Sequence, residues 1–125
     1  MKSAKQLVSE ANQQIETLSA DEAVKLAEDE NVVFLDLREP AEVKKGSFPN
    51  AVHVPRGLLE FQIDPQSPSH NPKLAGKNKL VLYCGSGGRS ALAAKTLKDM
   101  GVTNVAHVAG GFPALQQAAK GPQKL

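Results

Sequence analysis

Residues 80–95 read LVLYCGSGGRSALAAK and contain the one cysteine of the chain. Leu80 to Tyr83 is a short apolar run with the character of a strand buried on both faces, and the residues from Ala91 onward have the composition of a helix. The loop between them predicts an α/β architecture and puts Cys84 at the carboxyl end of a strand, where open parallel sheets bind ligands. By default a lone cysteine there is a small buried hydrophobe. The residues that follow argue for reactivity. Three glycines among Gly85, Ser86, Gly87 and Gly88 let the backbone turn tightly with its N–H groups inward, a concavity that favours anions. A helix starting near Arg89 or Ser90 adds its positive end, and the Arg89 guanidinium adds a full charge. Each favours thiolate over thiol, so Cys84 is expected to be ionised and nucleophilic near neutral pH. A glycine turn that only lets strand and helix pack is the competing reading.

Outward from this stretch, strands and helices alternate. Val32 to Leu35, Ala51 to Val54 and Val102 to Val108 read as further strands. Leu92, Ala93, Thr96, Leu97 and Met100 mark one face of a helix from Ala91 to Met100, stopped by Gly101, and Phe112 to Ala119 reads as a closing helix after the Gly110-Gly111 turn. Ser19 and Glu22 form a capping-box pattern that predicts a helix over about Ala20 to Glu28. Ala4, Leu7, Val8, Ala11 and Ile15 recur at helical spacing and predict an amphipathic N-terminal helix. Runs that are apolar rather than alternating imply an open parallel sheet with helices on both faces. The 18 residues from Gln62 to Lys79 hold three of the eight prolines and no apolar period, and so predict a loop, either a plain excursion or a lid.

Composition excludes several classes. At 125 residues, 41% hydrophobic and 22% charged, the chain is expected to be one soluble domain. A net charge of +2, with basic residues scattered among acidic ones, gives no reason to expect nucleic acid or membrane as a partner. One cysteine forms no internal disulfide, and the first residues lack the apolar core of a signal peptide, so a reducing compartment, the cytoplasm, is expected. His53, His70 and His107 are far apart with no metal-ligand spacing, so no metal site is expected. His53 and His107 read as core-edge strand residues. His70, inside the long loop, and Arg56, just after the second strand, are candidates for the rim of the Cys84 pocket.

The stretch from Leu80 to Leu115 resembles the active-site half of a rhodanese-like sulfurtransferase domain, and VVFLDLREPAEVKKGSFPNAVHVPRGLLEF, from Val32 to Phe61, resembles its first half. The resemblance implies a rhodanese-like open parallel five-stranded sheet with helices on both faces. It also implies a cysteine that takes up sulfane sulfur as a persulfide and passes it to a thiophilic acceptor, without a cofactor. Cys84 matches the sulfur-carrying position, and Gly85 to Arg89 complete the cradling loop, with Ser90 following. Asp36 and Arg38 fall in the family's Asp-x-Arg-Glu segment, where the aspartate supports the site. The first strand would be Ile15 to Leu18, which truncates the N-terminal helix. The implied organisation is a helix over 1–14, a rhodanese-like domain over 15–120 and a tail over 121–125. Ser47 and Asn50 depart from the family's usual His and Gly, which is expected to alter a turn rather than the chemistry.

Loop length separates reaction classes. Cysteine phosphatases space nucleophile and arginine as C-x5-R to surround a phosphoryl group. Cys84-x4-Arg89 is one residue shorter, a pocket suited to a single added sulfur. The expected activity is therefore sulfur transfer from a small donor such as thiosulfate, through a Cys84 persulfide, to cyanide or a thiol. A persulfide carrier or binding module that serves another protein is the alternative, and a cysteine phosphatase or arsenate reductase is the remote one. Gly85 stands where sulfurtransferases acting on thiosulfate often carry a basic residue, which leaves the donor open.

Overall fold

The computed structural model describes residues 1–120, so the tail expected at 121–125 lies outside the described residues. Strand β4, Lys79–Tyr83, is apolar on both sides because both sides are covered. Leu80 and Leu82 enter one core with Leu35, Leu37, Val54 and Leu97, while Val81 and Tyr83 enter the other with Phe34, Ala106, Val108 and Leu115. Each fully buried leucine contributes about 1.5–3 kcal/mol by leaving water.

The other strands are β1 (Glu16–Leu18), β2 (Val32–Asp36), β3 (Val52–His53) and β5 (Val105–Val108). All pair in parallel, in the order β1-β5-β4-β2-β3. The helices are α1 (Ala4–Asn12), α2 (Ala20–Lys25), α3 (Pro40–Val43), α4 (Leu59–Ile63), α5 (Gly88–Asp99) and α6 (Gly111–Ala119). Helix α1 packs on α5, and α2 packs on α6. From β2 the chain steps to one edge of the sheet, and from β4 it steps toward the other. The crevice at the carboxyl ends of β2 and β4 is thus the switch point where such sheets bind ligands. Among the described residues no helix is long and apolar enough to cross a membrane.

The parallel five-stranded sheet matches the expectation, and several boundaries move. Helix α1 ends at Asn12, so Ile15 lies outside it, and pairing with β5 draws Glu16–Leu18 into the sheet. Ser19 and Glu22 cap α2 reciprocally, with Ser19 N–H to Glu22 Oε1 at 2.8 Å and Glu22 N–H to Ser19 Oγ at 3.1 Å, but the helix ends at Lys25, short of Glu28. Strand β5 begins at Val105 because the Val102 N–H turns back to the Leu97 carbonyl at 2.9 Å and closes the end of α5.

The long loop is anchored. Its first residues belong to α4, preceded by a 3-10 turn at Arg56–Leu58, and a second 3-10 turn at Pro72–Leu74 drives Leu74 into the core. Asn71 N–H donates to the Gln62 carbonyl at 2.8 Å and ties the two ends of the excursion together. An anchored excursion, not a loose lid, is what these contacts define.

Candidate active site

Strand β4 delivers Cys84 to the crevice with no exposed surface, and the loop after it folds around the sulfur. Gly87 N–H donates to Sγ at 3.1 Å and Ser90 N–H at 3.4 Å. Ser90 Oγ lies 3.6 Å from Sγ. Gly87 adopts φ +115°, which glycine alone takes without strain, and that turn brings both amides onto one atom. Burial pushes the Cys84 thiol up, but its hydrogen bond with the Ser90 hydroxyl and those from the amides of Ser90, Ser86 and Gly87 outweigh it, and the net shift is downward.

The loop is backed by the turn after β5. Phe112 N–H donates to the Cys84 carbonyl at 2.8 Å. Gly111, at φ +65°, presses so closely on the loop that a Cβ there would lie 2.5 Å from the Cys84 carbonyl oxygen. The Gly110-Gly111 pair is therefore part of the cradle as well as a turn.

Beneath the cradle, Asp36 of β2 lies opposite Tyr83 in the sheet register and is completely buried. Its carboxylate accepts from Arg38 Nε at 3.0 Å, Arg38 Nη2 at 2.8 Å, the Arg38 amide at 3.0 Å, the Tyr83 hydroxyl at 2.7 Å and Ser47 Oγ at 2.9 Å. Burial pushes Asp36 up, and these bonds outweigh it to hold the carboxyl below its ordinary value. Arg38 also donates to the Gly46 carbonyl at 2.6 Å and lies 4.2 Å over the Phe112 ring. Burial, with Asp36 beside it, pushes Tyr83 up to about 12. Asp36 and Arg38 thus support the residue preceding Cys84 and the ring that follows the Gly-Gly turn.

Two sequence expectations are corrected. Arg89 is not a lone charge: Nη1 and Nη2 pair with Glu42 Oε1 and Oε2 at 2.7 and 3.0 Å, while the guanidinium also interacts with Cys84. Bonding to Arg89 lowers Glu42 to about 2. Ser47 does more than shape a turn, because it hydrogen-bonds Asp36 and lies 3.0 Å from the Tyr83 hydroxyl. Asn50, by contrast, takes the left-handed φ of +66° that suits a turn position usually held by glycine.

Of the candidate rim residues, Arg56 bonds Glu60 at 2.9 Å and Thr96 at 3.4 Å, and His70 Nδ1 bonds the Gln62 carbonyl at 3.0 Å. Neither has a polar contact with the cradle among the described residues. His53 Nε2 bonds the Arg38 carbonyl at 2.7 Å and so braces the β2 end.

The residues missed in the sequence are Glu42, Asn12 and His107. Glu42 had a signal: Glu39-Pro40-x-Glu42 is a helix start with proline at its first position, where Glu42 Oε1 accepts from the Glu39 amide at 2.9 Å and caps α3, and the pair with Arg89 ties that helix to the cradle. His107 lies on β5 with Nδ1 2.9 Å from Ser90 Oγ and Nε2 2.9 Å from Asn12 Oδ1, and no local pattern announces that meeting. Beside it opens a cleft of about 360 Å³ between α1, the end of β1 and loop residues Ser86 to Gly88.

An open parallel sheet with a cradled cysteine at its switch point defines a class of α/β proteins. Within that class, the family model described as rhodanese-like domain matches residues 19–118, and the chain belongs to that family. A sulfurtransferase of Allochromatium vinosum is 34% identical over 90 residues, 72% of this chain and 77% of that protein. A tRNA uridine(34) hydroxylase of Pectobacterium carotovorum is 34% identical over 103 residues, 82% of this chain, and this chain spans 28% of its length. Among solved structures, a protein of unknown function from Rhodopseudomonas palustris, described as a possible tyrosine phosphatase, is 44% identical with a TM-score of 0.89, covering 99% of this chain and 96% of that one.

Proposed function

We propose that the chain is a persulfide-forming sulfurtransferase with Cys84 as its nucleophile. The observation that carries this reading is the convergence of the Gly87 and Ser90 amides on Sγ in a loop of Cys-x4-Arg spacing. The Cys84 thiolate attacks the outer sulfur of a small donor such as thiosulfate. The donor's S–S bond breaks, and sulfite leaves with the electron pair. A thiol or cyanide then attacks the outer sulfur of the persulfide, the bond to Sγ breaks, and Cys84 departs as thiolate. The cradle, Gly85 to Ser90, holds negative charge on sulfur at each stage, with its dipoles fixed before the reaction. A buried sulfur favours a slim donor, and thiols as acceptors suit a cytoplasmic setting.

Replacing Cys84 with Ser should abolish thiosulfate:cyanide transfer; activity equal to that of the intact protein would sink the reading. Hydrolysis of an aryl phosphate that depends on Cys84 would favour phosphatase chemistry instead.

A second reading, a carrier that hands its persulfide to a protein partner, draws support from the Arg89–Glu42 pair. With Arg89 compensated and Gly85 after the cysteine, little free charge remains to draw an anionic donor. Steady-state turnover of thiosulfate separates the enzyme from a carrier, which loads one equivalent of sulfur and stops.

A further inference from the structure

His107 is a buried polar side chain in the core, and both its nitrogens are engaged. The amide oxygen of Asn12, 2.9 Å from Nε2, can only accept, so Nε2 carries the ring proton and Nδ1 presents a lone pair. Nδ1 therefore takes the Ser90 hydroxyl proton at 2.9 Å, in preference to the Gly87 carbonyl at 3.3 Å. A lone pair of the Ser90 oxygen then faces the Cys84 thiol at 3.6 Å. The result is one directional line from the exposed helix α1 to the sulfur: Asn12, His107, Ser90, Cys84.

The surroundings of the ring are uncharged. Its register partners are Thr17 on β1 and Leu82 on β4, α1 contributes Asn12 and Val8 to the adjoining cleft, and α5 contributes Ser90. Arg89, next to Ser90, is compensated by Glu42. Burial alone depresses His107, which keeps the resting ring neutral and its Nδ1 open.

We propose that Ser90 and His107, oriented by Asn12 of the N-terminal helix, form a proton relay that activates Cys84. The proposal rests on the reading of Cys84 as the sulfur-bearing nucleophile. The Cys84 S–H bond breaks and its proton passes to Ser90 Oγ as the Ser90 proton passes to His107 Nδ1. The sulfur keeps the electron pair, and a thiolate and an imidazolium result. The imidazolium is held by Asn12 Oδ1 on one side and Ser90 Oγ on the other, and the Ser90 hydroxyl now donates to the thiolate. When an acceptor removes the outer sulfur, the same line run backwards returns the proton to Sγ. His107 and Asn12 act through Ser90 and are positioning residues; α1 becomes a working part of the site.

The test is a pH titration of the ultraviolet thiolate absorbance of the whole chain, in which the single cysteine gives an unmixed signal. His107→Gln should raise the midpoint of thiolate formation by about one unit, a tenfold loss of thiolate at a fixed lower pH. Asn12→Ala should shift it in the same direction by less. In a Ser90→Ala background, His107→Gln should add nothing, because the line is already cut. An unchanged midpoint in His107→Gln, or an equal shift with and without Ser90, overturns the relay. Should His107→Gln fail to fold, Asn12→Ala decides alone, since it removes an exposed side chain, and an unchanged midpoint there overturns the proposal. Persulfide loading of the unmodified protein, followed by mass, keeps the two readings apart. Shifted midpoints without loading sink the sulfur reading and keep the relay; loading with unshifted midpoints does the reverse.

Discussion

Asp36→Ala removes the acceptor on which the floor of the cradle converges. Arg38 would lose both side-chain bonds to the carboxylate, keep the one to the Gly46 carbonyl, and be left with a nearly buried charge, with a side-chain exposure of 7%. Removing one partner of a buried pair destabilises by about 3–5 kcal/mol. The Tyr83 hydroxyl would lose its acceptor at 2.7 Å but keep the Phe48 amide and Ser47, so its share is small and not additive with the first. We expect about 4 kcal/mol in total, a large part of the roughly 5–15 kcal/mol typical of a domain. Urea unfolding followed by circular dichroism at neutral pH measures it. Asp36→Asn, which keeps one carbonyl acceptor but turns an amide donor toward other donors, should lose about half as much. The pH dependence has a definite sign. The native carboxyl is depressed, so its stabilisation is complete above the unfolded-state value of about 3.9 and disappears as pH falls through the native value. The gap between the native protein and Asp36→Asn should therefore narrow below about pH 4. A loss under about 1 kcal/mol for Asp36→Ala at neutral pH would mean that Arg38 and Tyr83 do not depend on this carboxylate.

Three further expectations concern the cradle. Gly111→Ala places a Cβ 2.5 Å from the Cys84 carbonyl oxygen at a positive φ, and should cost about 3 kcal/mol in thermal or urea unfolding, whereas Gly57→Ala, with open space around it, should be nearly neutral. Ser90→Ala removes the hydroxyl that joins Cys84 to His107 and that faces the thiolate, and should raise the midpoint of thiolate absorbance by at least about one unit. Glu42→Gln uncovers Arg89, so the KM for thiosulfate should fall and become more sensitive to salt, while stability changes by less than about 1 kcal/mol because the pair is partly exposed.

What the sequence disclosed follows from how local each signal is. Leu80 to Tyr83 could be read as a doubly buried strand because each of its residues is apolar, and the cradle could be read because three glycines and Arg89 lie within five positions of Cys84. The capping box at Ser19 and Glu22 was legible for the same reason, although the end of α2 was not, since Leu26 and Ala27 stay apolar past the last helical turn. The partners that complete the site come from far along the chain. Glu42 reaches Arg89 across 47 positions, and His107 reaches Asn12 across 95. Glu42 sits on a four-residue helix too short for a periodic pattern, and His107 lies in a strand whose other residues, Val105, Ala106 and Val108, are apolar. Leu74 shows the converse: one leucine among prolines and polar residues has no period, yet it anchors the loop. Burial of a single side chain is settled by tertiary packing, which neighbouring residues do not encode.

A sulfur-carrying Cys84 has a direct signature in the mass of the protein. Incubating the whole protein with thiosulfate and measuring its intact mass tests this most directly, because a persulfide adds one sulfur, about 32 mass units. The native protein should gain that increment and lose it to cyanide or a reducing thiol, and Cys84→Ser should not acquire it. A native protein that stays at its original mass, or a Cys84→Ser variant that gains the same increment, would contradict a sulfur-carrying Cys84.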